Sequence, residues 1–267
     1  SRPDPRAGAA CSPPSRHPPL PSLPMTLDLE TTLQMIRRDG ERLISTAERA
    51  PLATVRACPG WTNTDLAIHT TGVHRRVAHW TANRLTKPQR WPEQQPDDGS
   101  APWDWCRAGL DLVLAALADI GPEESVWSWT DRRNGGFYHR RMLQETVVHR
   151  WDAEDAAGIS SHIDAEVAAD GINEILDVGM RYRGDGGSVE YPDGDVLLER
   201  TDGTDRWRIR AMDGTLLVGR NGDAGTSGTA TVQGRAEDLL LYLWGRGGHV
   251  TISGDTDVAE AWAAVAP

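Results

Sequence analysis

Apolar positions recur at helical spacing through the first two thirds of the chain and alternate with polar ones through much of the rest. Leu29, Leu33, Ile36, Leu43, Ile44 and Ala47 fall on one stripe, which Pro51 terminates. Thr62 followed by Asp65 has the form of a capping box and opens a second helix, with a predicted inward stripe of Leu66, His69, Val73, Val77 and Trp80. A proline-rich loop spans 87–102. Trp103, Cys106, Leu110, Val113, Leu114 and Leu117 then mark a third helix. The pattern predicts a fourth over 141–158 and a further helix over 164–182 that leads out of the bundle.

Past RGDGG (183–187) the period changes. DVLLERT (195–201) and RWRIRAM (206–212) alternate and are bounded by Asp-Gly turns, the pattern of antiparallel strands. RAEDLLLYLWG (235–245) reads as a helix, VTISG (250–254) as a strand and DTDVAEAWAAV (255–265) as a closing helix. The expected organisation is a disordered, proline-rich leader over 1–24 ahead of a start at Met25, a helical bundle over 25–185, and a smaller α+β domain over 186–267.

Composition narrows the functional classes. No apolar run is long enough to span a bilayer, so no membrane partner is expected. A net charge of −11 without a basic cluster argues against nucleic acid. Cys11, Cys58 and Cys106 form no CxxC pair, which argues against a disulfide framework or an all-cysteine zinc site and fits a reducing cytoplasm. Lys87 is the single lysine, and the arginine-rich balance is that of a GC-rich coding genome.

The candidate chemistry lies in QETVVHRWDAED (144–155), where Glu145 and His149 stand one helical turn apart on one face. His69, on the apolar stripe of the second helix, is the best third donor. Two imidazoles and a carboxylate leave positions open on a divalent ion, as catalytic sites require. Against this stand two ordinary readings: a core histidine bonded to a carbonyl, and an ExxxH pair on a solvated face. His69, His74 and His79 are spaced five apart, so they point in different directions and cannot chelate one ion from one face. His139 is expected to precede the fourth helix. Cys58, before Pro59-Gly60, is either a thiolate donor or a loop residue. Asp152 is expected either to orient a ligand imidazole from behind or to pair with Arg150 or Arg76.

Three stretches, CPGWTNTDLAIHTTGVHR (58–75), ETVVHRWDAEDAAG (145–158) and AEDLLLYLWGR (236–246), in this order resemble the mycothiol-dependent maleylpyruvate isomerase family. That family lies within the wider DinB-like group of thiol-dependent metalloenzymes. The resemblance implies an N-terminal DinB-like four-helix bundle with a smaller C-terminal α+β domain. It implies a divalent metal, usually zinc, held at the positions of His69, Glu145 and His149, with mycothiol as cosubstrate. It also implies an arginine of the C-terminal domain that holds an anionic substrate, for which Arg246 is the counterpart. The other reading of Arg246 is a basic residue at a helix C-terminus.

The expectation is therefore a cytoplasmic, metal- and thiol-dependent isomerase or S-transferase acting on a small electrophile that carries a carboxylate. Two rivals stand beside it: a non-catalytic metal- or small-molecule-binding protein on the same scaffold, and a metal-free acid–base hydrolase using Glu145 with His149.

Overall fold

Asp28 starts the first helix by accepting the Thr31 N–H on its side chain at 2.8 Å, and α1 runs Leu29–Arg49. The computed structural model describes residues 27–92, 94–97, 101–184 and 187–267; the expected leader lies outside them. The Thr62–Asp65 capping box forms as the sequence predicts and opens α2, Asn63–Ala82. The third helix, α3, spans Trp103–Asp119.

The fourth helix, α4, spans Gly135–Ala156 and so begins well before the expected residue 141. Asn134 caps it, accepting the Phe137 N–H at 3.0 Å. Two glycines, poor helix formers, hide this start from a propensity reading. Gly135 is nonetheless required there, because a Cβ would collide with the Gly121 carbonyl oxygen. His139 thus lies inside α4, not before it as expected. It is buried and donates Nε2–H to the Leu117 carbonyl at 2.9 Å.

In the bundle, α1 packs on α3 and α4, and α2 packs on the same two helices. Ile36, Leu43, Leu66, Val77, Leu110, Leu117, Met142 and Leu143 form the core. α1 and α3 approach closely at Gly40, where a Cβ would sit 2.6 Å from Leu110 Cδ1.

Leu66, Val77 and Trp80 of the predicted α2 stripe are buried, but the buried face is wider than that stripe. Thr70, Thr71, His74 and Thr81 are buried, whereas Val73 and His69 are half-buried at its edge. Polar side chains occupy that face because each finds a partner: Thr70 Oγ1 donates to the Leu66 carbonyl at 2.9 Å and Thr81 Oγ1 to that of Val77 at 2.8 Å. A stripe drawn from hydrophobicity alone misses them.

By packing, the chain divides between Gly171 and Ile172, inside α5 (Ala165–Glu174). One unit comprises 27–128 and 132–171; the other comprises 172–184 and 187–267 with 129–131. The change of hydrophobic period near 183 marks where the helical pattern stops, which is a different property of the chain. A π-turn at Ile175–Gly179 follows α5, and α6 (Met180–Gly184) ends this run.

The second unit holds a five-stranded mixed sheet in the order β3-β2-β1-β4-β5. The strands are β1 Asp195–Arg200, β2 Arg206–Met212, β3 Thr215–Arg220, β4 Ala230–Gly234 and β5 Thr251–Gly254. β1 runs antiparallel to β2, as predicted, and parallel to β4. β3 and β4 go beyond the runs named from the sequence; Gly219 interrupts β3, and β4 is a run of five residues that ends at Gly234. Asp213 and Gly214, both with positive φ (51° and 72°), make the tight turn between β2 and β3. Two helices, α7 (Ala236–Leu243) and α8 (Thr256–Val265), pack on β1 and β4 and bury Leu239, Leu240 and Trp262.

Candidate metal centre

The α2–α4 packing brings His69 to Glu145 and His149. Glu145 Oε1 lies 3.8 Å from His69 Nε2 and 3.4 Å from His149 Nε2. The two imidazoles meet edge to face with centroids 5.6 Å apart. One ligand atom from each of the three residues lies within 4.8 Å of the others. Val147 and Val148 are buried on α4, which fixes the rotation of the helix and so the direction of its Glu145–His149 pair.

The Glu145 and His149 front atoms are supported from behind. Asp152 Oδ2 stands 3.0 Å from His149 Nδ1, so a neutral His149 carries its proton on Nδ1 and turns the Nε2 lone pair toward Glu145. Arg141 Nη2 donates to Glu145 Oε2 at 2.7 Å, which occupies one carboxylate oxygen and leaves Oε1 on the histidine side. The Trp61 ring lies 4.8 Å from the His69 ring, centroid to centroid, and covers it.

The electrostatics favour positive charge at this point. Burial disfavours a charged His149, but the Glu145 carboxylate and the Asp152 hydrogen bond outweigh it and raise the pKa to about 9. Burial likewise disfavours the Glu145 anion, yet His149, Arg141 and His69 hold its carboxyl well below the ordinary range. His74, one turn further along α2, behaves in the opposite way. It is buried against Thr146, with Nε2 2.9 Å from Oγ1, and burial lowers its pKa to about 4, so it stays neutral.

The donor set fits a divalent cation. Tetrahedral coordination at about 2.1 Å separates ligand atoms by about 3.4 Å, close to the two distances from Glu145 Oε1. Two imidazole nitrogens and a carboxylate oxygen suit zinc and leave room for an exogenous ligand.

Four of the five residues singled out from the sequence therefore gather within the bundle. Arg246 belongs to the other unit, just past α7, where Nη1 donates to the Trp244 carbonyl at 2.8 Å and the guanidinium lies 5.3 Å over the Trp244 ring. Sequence reasoning missed Arg141, Trp61 and His74 as parts of the site's surroundings. The four-residue interval from Arg141 to Glu145 was the available signal for the first. Trp61 has no such signal, since its approach to His69 depends on how the loop enters α2.

Residues 33–154 match the family model of the mycothiol maleylpyruvate isomerase N-terminal domain, and residues 166–261 match that of the MDMPI C-terminal domain. The crystal structure of the mycothiol-dependent maleylpyruvate isomerase is similar in fold, with a TM-score of 0.58 at 17% identity, covering 85% of this chain and 93% of that one. A histidine-to-alanine mutant of the mycothiol-dependent maleylpyruvate isomerase gives a TM-score of 0.54 at 15% identity with the same coverage. No curated protein matches the chain.

Proposed function

The chain belongs to the mycothiol maleylpyruvate isomerase family, and from that membership we propose a thiol-dependent isomerase or S-transferase that holds a divalent metal, zinc by its donor set, on His69, Glu145 and His149. The observation that carries this reading is the convergence of three ligand atoms within 4.8 Å, on helices whose other contacts orient them. When bound, such a cation supplies a Lewis acid that favours the thiolate of a coordinated thiol at neutral pH.

The chain's own residues do the rest. Asp152 keeps the His149 proton on Nδ1. Arg141 holds one Glu145 oxygen and limits the negative charge the carboxylate presents. Trp61 shields one face of His69 from water. Arg246 offers a planar fork of donors suited to a substrate carboxylate.

The cosubstrate on this reading is mycothiol and the second substrate a small electrophile. The thiolate sulfur forms a C–S bond at an electrophilic carbon of a conjugated double bond, whose π pair moves onto the substrate's conjugated carbonyl as an enolate and returns on elimination. That former double bond then rotates as a single bond, and elimination breaks the C–S bond and returns the thiolate with the opposite geometry. With an electrophile that offers no such elimination, the reaction ends as S-transfer. Three cysteines, few and widely spaced along the chain, support a reducing, cytoplasmic setting. No helix among the described residues is long and apolar enough to cross a membrane.

The test combines metal analysis with turnover. Wild-type protein is expected to carry about one zinc per chain, and His69→Ala and Glu145→Ala to carry almost none while keeping their helical circular dichroism. Metal retained at wild-type stoichiometry in both variants would sink the ligand assignment. Incubation with mycothiol and maleylpyruvate or other electrophilic acids, read by mass spectrometry and chromatography, should give thiol-dependent product. Full metal occupancy without thiol binding would leave a metal-binding scaffold in place of an enzyme. Arg246→Ala is expected to raise KM for a carboxylate substrate about tenfold with little change in kcat, since it removes a charged hydrogen bond used in binding.

A further inference from the structure

A cleft of about 560 Å³ lies between α2, α3 and the segment carrying Trp91 and Gln94, and none of its residues takes part in the proposed chemistry. On α2 it is lined by Arg75, Ala78, His79 and Ala82. Ala78 follows His69 by nine residues, which at about 100° per residue places it on the opposite side of the helix from the metal centre. Across the cleft, Ala115 and Ala116 of α3 add two more small side chains. The floor is thus built from methyl groups, which create the space between two helices that otherwise pack closely.

One wall is aromatic and fixed. The Trp91 ring stacks on His79 with centroids 4.1 Å apart and planes 28° from parallel. His79 is held at both nitrogens, with Nε2 3.1 Å from Gln89 Oε1 and Nδ1 3.3 Å from Asn83 Nδ2. The stacked pair presents a flat face to the cleft instead of a mobile side chain.

The same wall carries unmet hydrogen-bonding capacity. Among the described residues, Trp91 Nε1 is buried without a partner, and so is Arg75 Nε. Arg75 donates from Nη2 to the Trp105 carbonyl at 3.0 Å and lies 4.6 Å over the Trp105 ring, but no carboxylate pairs with it among the described residues. Asp119, at the edge of the cleft, pairs with Arg84 at 2.8 Å, so its charge is already matched. Buried donors without acceptors are costly, and a ligand oxygen would relieve that cost.

We propose that this cleft is a second small-molecule site, separate from the metal centre, which takes a planar aromatic acid. The ring lies on the alanine floor against the Trp91–His79 pair, and the acidic oxygen accepts from Trp91 Nε1 beside the Arg75 guanidinium. The volume is within the range of pockets that hold drug-sized ligands, and a few polar groups in an apolar wall are the usual composition of such sites. The inference does not depend on the thiol chemistry.

The experiment uses 2-naphthoate as the probe and the full chain labelled with nitrogen-15. The Trp91 indole N–H signal is identified by its loss in Trp91→Phe. It should move in a saturable way as 2-naphthoate is added, with or without metal in the protein. Ala82→Trp and Ala115→Phe fill the cleft from solvent-exposed positions, so they should keep the wild-type melting temperature and lose at least about tenfold in affinity. Arg75→Met should weaken 2-naphthoate about tenfold while leaving uncharged naphthalene-2-carboxamide nearly unchanged. The proposal is overturned if the Trp91 signal does not saturate at millimolar probe, or if the filled variants bind as well as wild type. It is equally overturned if His69→Ala abolishes binding, because the probe is then at the metal centre.

Discussion

His149 and Arg150 are consecutive residues of α4, yet they anchor two buried charge clusters of opposite character. Around Arg150 the charges close on one another. Its guanidinium lies 3.2 Å from Asp39 and 2.9 Å from Glu154 and donates to the His162 carbonyl at 2.8 Å, while Arg42 meets Glu154 from the other side at 2.7 Å. Around His149 the tight bonds, to Asp152 and from Arg141 to Glu145, lie behind the ligand atoms. The front atoms face one another at 3.4 and 3.8 Å, longer than the usual hydrogen bond of about 2.7–3.2 Å. Burial of charge is common to both clusters and does not identify a site. The arrangement of supporting bonds is what separates the two.

The largest expected effect tests the closed cluster. Asp39→Ala leaves the buried Arg150 to share the one Glu154 carboxylate with Arg42 and should cost about 3–5 kcal/mol in urea unfolding, with metal stoichiometry unchanged. Loss of metal with stability intact would reverse the assignment of the two clusters.

Next comes His74, a buried imidazole that belongs to neither cluster but faces Thr146 and feels Glu145 and His149. Its folded pKa of about 4 lies below the 6.5 of an unfolded histidine, so the folded state prefers it neutral. The stability this contributes is full above pH 6.5 and is lost as pH falls toward 4, amounting to about 3 kcal/mol. His74→Gln, which cannot charge, should flatten unfolding free energy against pH by that amount between pH 7 and pH 4. An unchanged slope would show that His74 does not titrate in this window.

The smallest effect sharpens the open cluster. Asp152→Asn keeps the shape but removes the charge behind His149. Zinc affinity, measured by competition with a chelator, should fall about 10–100-fold with the fold retained. Equal affinity would make Asp152 a packing residue only.

Much of this was legible in the chain because local rules decided it. The helical stripes, the Thr62 cap, the Asp-Gly turn and the Glu145–His149 interval all depend on residues a few positions apart. What was missed depends on partners distant in sequence. The start of α4 is hidden by two glycines, the first of which, Gly135, clears the Gly121 backbone. The inner face of α2 includes the polar His74 because Thr146, on another helix, answers it. Asp152 sits on the legible side of this divide and Trp61 on the other.

The strand order β3-β2-β1-β4-β5 has a consequence for how the polypeptide assembles during synthesis. β1 leaves the ribosome first and occupies the middle. β2 and then β3 dock outward on one flank, followed by β4 and then β5 on the other. Every arriving strand meets an edge that is already there, and none has to be threaded between two partners. The topology thus allows the nascent sheet to grow from its centre in the order in which it is translated.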